Sequence, residues 1–321
     1  GNINKVQISP TIQATKSNFT QKHGGRAPHY LDYFKNVSQY EVIYDGEEPE
    51  QCSRFFRKYN RNVIIVVNDD IDVPILPHFR WMTIAQIKRI ASNYDNLVNM
   101  DTRTVLSCIP YDKVDSKIEG MDDNLSGSIF GEDKSSMLAD AFAEKAKQEP
   151  QASLIRLDEL KEWSLMPTGI FCHHPYPFCF KYYDIAIDGR EVTHWMQPLA
   201  VANGKALFGL AYYVSQGEDR FVIRLKPEIG CQFGMCFGPT LQLEAPFEDY
   251  QPKNAIEKEL FDSYRNHQCD IFTTLSEEGG RFYHEENINI IARIPAPANE
   301  NELIENGFFV VNYITLRNLI E

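Results

Sequence analysis

A short phrase that occurs twice constrains this chain more than any other feature. Pro10-Thr11-Ile12-Gln13 returns far along the chain as Pro239-Thr240-Leu241-Gln242. Arg54-Phe55-Phe56, with Asn60 and Asn62 behind it, returns at almost the same offset as Arg281-Phe282-Tyr283 with Asn287 and Asn289. The stretches that follow, 63–67 and 290–294, are rich in β-branched residues and predict strands. Thr83-Ile84-Ala85-Gln86-Ile87 and Thr315-Leu316-Arg317-Asn318-Leu319 then predict a closing helix in each copy. Several matches in one order at nearly constant offset indicate duplication of one supersecondary unit.

The second copy has more in front of its repeated phrase than the first. Residues 151–229 contain strand-like runs at 182–187, 205–214 and 220–225, and nothing equivalent precedes Gly1. The first copy is therefore expected to lack its N-terminal part. Between the copies, 112–134 is rich in Asp, Gly, Ser and Lys and predicts a loop, while Met137, Leu138, Ala141, Phe142 and Ala146 predict a short helix over 136–148. Residues 154–163 also show helical spacing. The expected organisation is a partial first module at 1–111, a linker with a short helix at 112–150, and a second module at 151–321. Each module is expected to be a mixed curved sheet with flanking helices, an α+β or α/β arrangement.

Charge narrows the partners. A net charge of −13 and a pI near 5.1 exclude a general nucleic-acid binder, which needs a basic face. No apolar run approaches the roughly 20 residues of a membrane-spanning helix, so no membrane partner is expected. Seven cysteines without framework spacing predict reduced thiols and a cytoplasmic location. Cys172-His173-His174 and Cys179 lack a second ligand pair at a usual distance, and aromatic residues fill the gap, so a packed set is expected there and no metal.

Three stretches carry a resemblance. They are 7–34, with Gln7-Ile8-Ser9-Pro10-Thr11-Ile12-Gln13-Ala14-Thr15-Lys16-Ser17-Asn18 and His23-Gly24-Gly25; 96–106, with Asn99-Met100-Asp101-Thr102-Arg103; and 190–199, with His194-Trp195-Met196-Gln197-Pro198. Together with Ser276-Glu277-Glu278-Gly279-Gly280-Arg281-Phe282, they resemble the NDP-hexose 2,3-dehydratases over nearly all the chain outside 112–150. The resemblance implies two tandem Nudix-like modules, a homodimer, and a dTDP-4-keto-6-deoxyhexose substrate that loses its 2-hydroxyl as water. A downstream NADPH-dependent 3-ketoreductase would consume the product. No cofactor is implied, because oxidation at C3 is matched by reduction at C2. A Nudix pyrophosphohydrolase is disfavoured. Only the tail of its metal-binding box is present, as Glu277-Glu278-Gly279-Gly280, with Thr273 and Thr274 where the preceding Arg-Glu pair would stand. A nucleotide-sugar-binding fragment without turnover is the remaining alternative.

The reaction needs a base near neutrality, donors for an enolate oxygen and an acid at the leaving hydroxyl. Thr11, Gln13, Thr15 and Ser17 alternate as a strand would present them on one face, with Asn18 next to them. Gln13, Thr15, His23 and Tyr30 are the catalytic candidates. His23 titrates near neutrality and is followed by two glycines, but a capping loop histidine fits as well. Tyr30 is either a proton donor or a packing aromatic. Arg57, Lys58 and Arg61 in the first copy, and Arg220, Arg224 and Arg281 in the second, are diphosphate candidates or solvated charges. Trp195 with Gln197 would stack and read a thymine, or plug a turn. Thr240 and Gln242 complete the binding candidates. The second copy continues as Leu243-Glu244-Ala245-Pro246, losing most of the first copy's polar face, so chemistry is expected on the first copy.

Overall fold

The computed structural model describes residues 7–22, 24–50, 54–94, 96–110, 123–146 and 152–319. The first third carries α1 (Lys16–Phe19), α2 (Leu31–Lys35), β1 (Glu41–Pro49), β2 (Tyr59–Val66), α3 (Ile84–Asn93) and α4 (Met100–Ser107). Next come α5 (Asp123–Ile129), α6 (Ser135–Ala146) and an antiparallel meander of β3 (Trp163–Met166), β4 (Gly169–Cys172), β5 (Phe178–Ala186) and β6 (His194–Ala202). The remainder holds β7 (Leu207–Ser215), β8 (Glu218–Pro227), β9 (Met235–Gly238), β10 (Leu241–Leu243), α7 (Ala255–Arg265), β11 (Ile271–Ser276), β12 (Glu286–Arg293), α8 (Glu300–Glu305), β13 (Phe308–Val311) and α9 (Tyr313–Asn318). The architecture is mixed α+β.

The seven-stranded sheet runs β11-β12-β7-β8-β13, with β10 added to β7 and β9 to β8. Only β12 and β7 pair in parallel, so the sheet is mixed, as expected. Both of its faces are covered, and the sequence of β8 shows why. Phe221, Val222 and Ile223 are consecutive buried apolar residues, a run that one-sided burial would not select. Val222 joins Leu207, Leu260 and Phe308 in one core, while Phe221 and Ile223 join Phe309 and Val311 in the other. α7 supplies the first cover through Ile256, Leu260 and Phe261. The second is supplied by Leu125 of α5 and by Leu138, Ala141 and Phe142 of α6.

Several sequence expectations fail for identifiable reasons. Composition predicts a loop over 112–134, yet α5 occupies Asp123–Ile129, and its Ser128 donates to the Asp219 carbonyl at 2.7 Å. Tertiary packing overrides its polar composition; residues 111–122 lie outside the described set. The helical spacing at 154–163 yields only a 3-10 turn at Leu157–Glu159, because Leu154 is fully exposed and no surface receives an apolar stripe. Residues 11–17 form no strand. Ile8 bridges Val98, but beyond it the chain finds no ladder partner, and Asn18 N returns to the Thr15 carbonyl to start α1.

The hairpins that carry the second repeated phrase have matching register. In the first hairpin Pro49 pairs with Tyr59, and in the second Ser276 pairs with Glu286, at the same offset that relates Arg54 to Arg281. Asn60 Nδ2 donates to Glu50 Oε1, and Asn287 Nδ2 donates to Glu277 Oε1 at 2.6 Å. Phe55 and Phe282 meet edge to face with centroids 5.9 Å apart. Both expected closing helices form, α3 opening on Thr83 with a capping box to Gln86 and α9 spanning Tyr313–Asn318. The cap of α9 is of the same kind as that of α4. Asn99 Oδ1 accepts from Thr102 N at 2.9 Å, and Asn312 Oδ1 accepts from Thr315 N at 3.1 Å.

Candidate active site

Gln13 sits at the centre of a polar network, and its orientation follows from the cap of α4. The Asn99 carbonyl oxygen is committed to the backbone N–H and hydroxyl of Thr102. Its amide nitrogen must therefore point away from the helix, and it donates to Gln13 Oε1 at 2.9 Å. With that oxygen occupied, Gln13 Nε2 faces two carboxyls: Asp101 Oδ2 at 2.6 Å and Glu278 Oε1 at 3.4 Å. One amide nitrogen thus bridges a carboxyl from α4 and one from the turn between β11 and β12.

That turn is fixed from three directions. The Gly280 N–H donates to Glu278 Oε1 at 2.8 Å, and Arg281 Nη1 reaches Glu278 at 3.0 Å. The same Arg281 nitrogen pairs with Glu50 of the first hairpin at 2.7 Å. From β6, Gln197 Nε2 donates to the Gly280 carbonyl, and Trp195 Nε1 donates to Gln197 Oε1 at 2.7 Å. Trp195 and Gln197 are two apart on one strand and so share a face. Four residues singled out in the sequence, Gln13, Trp195, Gln197 and Arg281, therefore belong to one hydrogen-bonded chain.

The network carries more carboxyls than its cations neutralise. Burial pushes the Glu278 carboxyl above the usual carboxylate range, with Arg281 opposing and Asp101 adding to the rise. Asp101 is raised by burial and by the Glu50 charge. Glu277 is raised by burial too, while Asn287 opposes. Arg103 donates to the Val98 and Ser276 carbonyls, both at 2.6 Å, and burial lowers its own pKa. Two closely spaced carboxyls in low dielectric favour a state in which they share a proton. Carboxyls raised in this way hold a proton above the usual carboxylate range, a state that general acid–base chemistry can use.

The other copy of the repeated glutamine, Gln242, stands in a different setting. It lines a cavity of about 250 Å³ with Lys226, Glu228, Phe208, Phe237, Glu285 and Asn287 among its walls. Lys226 Nζ donates to Gln242 Oε1 and pairs with Glu228 at 2.9 Å. Glu285 is only 6% exposed, and its Oε2 has no hydrogen-bond partner. Burial, followed by the Glu277 charge, pushes the Glu285 carboxyl up to about 7.

The remaining candidates are scattered. His23 lies outside the described residues. Tyr30 has its hydroxyl fully engaged, donating to the Pro74 carbonyl at 2.7 Å and accepting from Leu76 N at 3.0 Å, so it holds the 74–79 loop. Thr15 caps α1 in position and donates to Asn18 Oδ1 at 2.8 Å, and both Thr11 and Thr15 are exposed. Ser17 lies within α1, half-buried. Thr240 is completely buried; it accepts from Ala211 N at 2.8 Å and donates to the Val222 carbonyl, which leaves nothing for a ligand. Arg61 is held by Asp45 through two 2.6 Å contacts, Arg220 by Glu218 at 2.8 Å, and Arg224 by Glu257 at 3.0 Å. Arg57 is exposed, with positive φ, and lies over the Phe56 ring. Lys58 donates to the Tyr59 carbonyl and to Asn60.

Sequence reasoning missed Glu50, Asn99, Asp101 and Glu285 as site residues, and it weighed Glu278 only as a metal ligand. The available signal was the Asn-x-x-Thr pair at 99–102 and 312–315, which marks two helix starts and sets a carboxyl, Asp101, inside the first of them.

Comparison with known proteins gives one family. The model of the NDP-hexose 2,3-dehydratases matches residues 1–109 and 135–321. A dTDP-4-dehydro-6-deoxy-alpha-D-glucopyranose 2,3-dehydratase of Saccharopolyspora spinosa is 33% identical over 299 residues, 89% of this chain and 61% of that protein. Proteins of the same name from Streptomyces violaceoruber and Amycolatopsis orientalis are 32% and 30% identical, over 89% and 88% of this chain and 64% and 57% of their own lengths. The chain thus spans about three fifths of the length of the curated relatives it matches.

Proposed function

The chain belongs to the NDP-hexose 2,3-dehydratase family, and from that premise we propose that it acts as a lyase on a dTDP-4-keto-6-deoxyhexose in deoxysugar biosynthesis. The observation that carries this reading is the Gln13 amide bridging Asp101 and Glu278. The 4-ketone of the substrate acidifies the C3 proton. A carboxylate of the pair removes that proton, and the electrons move into an enolate. The C2 hydroxyl then leaves as water, taking a proton from the other member of the pair, and the enol relaxes to a 3,4-diketo-2,6-dideoxy sugar. C3 is oxidised as C2 is reduced, so the reaction balances without an external redox partner.

In this reading Gln13 exchanges its longer contact, to Glu278, for one to the enolate oxygen or the leaving hydroxyl, and Asn99 keeps its donor end turned that way. Trp195 offers the ring for the pyrimidine, with Gln197 at its edge. Arg281, within the network, is the guanidinium assigned to the diphosphate, at the cost of its contacts to Glu50 and Glu278. Thr15 and His23 remain candidates for contacts to the sugar. The matching registers of the two hairpins support a duplicated scaffold divided at 1–111, 112–150 and 151–321. Nudix-like modules, a homodimer, a cytoplasmic location and a partner 3-ketoreductase belong to the same proposal. The cavity at Gln242 favours a second reading, in which that copy binds nucleotide sugar without turning it over.

The test is a coupled assay: the protein, dTDP-4-keto-6-deoxyglucose, an NADPH-dependent 3-ketoreductase and NADPH, followed by mass spectrometry. The reading predicts consumption of NADPH and a product lacking the 2-oxygen. Tight binding of the sugar nucleotide with no such product would leave only the binding reading.

A further inference from the structure

The wall of the cavity beside Gln242 contains a pair of thiols that the dehydration chemistry does not use. β8 and β9 form a hairpin whose connection is held tightly: Glu228 N donates to the Gly234 carbonyl at 2.7 Å, Cys231 N to the Glu228 carbonyl at 3.0 Å, and Gly234 N to the Cys231 carbonyl at 3.1 Å. Gly234 adopts a φ of 67°, a conformation that side-chain-bearing residues rarely take, and this lets the chain reverse within a short connection. The reversal brings Cys231 back against Cys236. The Cys231 thiol hydrogen-bonds the Cys236 sulfur, and both side chains line the cavity. Cys231 is buried, whereas Cys236 is half-buried on the cavity side. Lys226 stands directly across the ladder from Cys236.

We infer that Cys231 and Cys236 form a redox-active dithiol, with Cys236 as the attacking thiol and Cys231 as the resolving one, that closes to a disulfide by exchange with a low-molecular-weight disulfide. The roles follow from exposure and charge. Cys236 is the more accessible of the two and has the ammonium of Lys226 as its cross-strand neighbour. Its thiol is lowered below the ordinary range, first by the hydrogen bond from Cys231 and then by Lys226, against burial and the Glu228 carboxylate. The Cys236 thiolate attacks one sulfur of the small disulfide, breaking its S–S bond and expelling one small thiolate. Cys231 passes its proton to that leaving group and attacks the Cys236 sulfur, expelling the second small thiolate. Two protein thiols are oxidised to one disulfide, and one small disulfide is reduced to two thiols.

The location gives the exchange a structural consequence. The connection between β8 and β9 is also where the first hairpin docks: Arg57 N donates to the Gly230 carbonyl at 2.6 Å, and Gln232 N donates to the Tyr59 hydroxyl at 3.2 Å. A disulfide from Cys231 to Cys236 would tie off that docking loop at the cavity mouth. Cys269 provides an internal control, because burial and the Asp270 charge push its thiol up, so it should react more slowly.

The test is exposure of the protein to oxidised glutathione at fixed pH, quenching with an alkylating reagent, and peptide mapping by mass spectrometry. The wild type should lose two hydrogens without retaining glutathione, and the cross-linked peptide should join Cys231 to Cys236 well before Cys269 is modified. Cys231→Ser should accumulate a stable glutathione adduct on Cys236. In Cys236→Ser, Cys231 should stay reduced. A persistent glutathione adduct on wild-type Cys236, equal reactivity of Cys231 in the Cys236→Ser variant, or modification of Cys269 ahead of this pair would each overturn the assignment. All of these outcomes are independent of turnover, so failure here leaves the lyase reading intact, and the converse also holds.

Discussion

The two copies of the repeated glutamine teach by contrast. Gln13 is locked: its oxygen is held by Asn99, and its nitrogen bridges Asp101 and Glu278. Gln242 faces a cavity, with its oxygen taken by Lys226 and with a buried carboxyl oxygen of Glu285 left unpartnered nearby. The helices that follow the two settings differ at one telling position. Where α4 carries Asp101 two positions after its capping Asn99, α9 carries Ile314 two positions after Asn312, and Ile314 is buried in the packing. Asn312 consequently has no carboxyl–amide network to orient, and its Nδ2 donates instead to the Glu132 carbonyl at 2.9 Å. Gln13 thus sits in a hydrogen-bonded carboxyl cluster, whereas Gln242 faces a cavity lined by Lys226, Glu228 and Glu285 as well as by Phe208 and Phe237.

The sharpest way to break this contrast is to disarm the cluster. Asp101→Asn and Glu278→Gln are each expected to lower kcat by about 10²-fold or more, the usual contribution of a general acid or base. The coupled NADPH assay measures it, and a change under threefold in both variants would remove the pair from the chemistry. Next in size are the two caps. Asn99→Ala and Asn312→Ala should each cost about 1 kcal/mol of stability in urea unfolding, the value of a lost helix cap. Only Asn99→Ala should also reduce kcat, since it alone frees Gln13 to rotate. Equal kinetic effects would show that the two caps do the same job.

A third prediction sharpens the cavity side. Glu285 is held at about 7 in the folded protein against an ordinary 4.5, so the folded state binds its proton more tightly than the unfolded state does. The stability this confers is complete below about pH 4.5 and is lost as pH rises through about 7, with a slope of at most ~1.4 kcal/mol per pH unit. Glu285→Gln should flatten that part of the stability–pH curve, read from urea midpoints between pH 5 and pH 8. An unchanged slope would show that the carboxyl titrates normally. The smallest effect is expected at Arg61. It is exposed and committed to Asp45, so Arg61→Ala should change stability by less than about 1 kcal/mol and leave KM unchanged. A tenfold rise in KM would restore Arg61 as a diphosphate ligand.

Much of the frame was legible in the sequence because its signals are local. The β-branched runs at 63–67 and 290–294 became β2 and β12, and the helical signature at 83–87 became α3. The alternating Thr11, Gln13, Thr15 and Ser17 misled, because alternation makes a strand only where a ladder partner exists, and here the chain turns into α1 instead. The site was half legible. Gln13, Trp195, Gln197 and Arg281 stood out as polar groups in memorable motifs, but what joins Gln13 to the others is Glu278, a carboxyl far along the chain, with Asp101 on the same Gln13 nitrogen. Glu278 has no local pattern that marks it as a partner of Gln13, and Asp101 has only its place inside a helix start capped by Asn99. Thr240 failed for the opposite reason: its motif matches that of Thr11, yet Thr240 is sealed in the core by β7 and β8 while Thr11 is exposed.

The most direct measurement compares Gln13→Ala with Gln242→Ala in the coupled assay, under matched conditions and with both variants checked for folding. The account predicts that Gln13→Ala loses at least about tenfold in kcat, the order of a single preorganised donor or more, whereas Gln242→Ala keeps kcat and changes only KM. Loss of kcat in Gln242→Ala with Gln13→Ala at full turnover would place the chemistry in the cavity and contradict it.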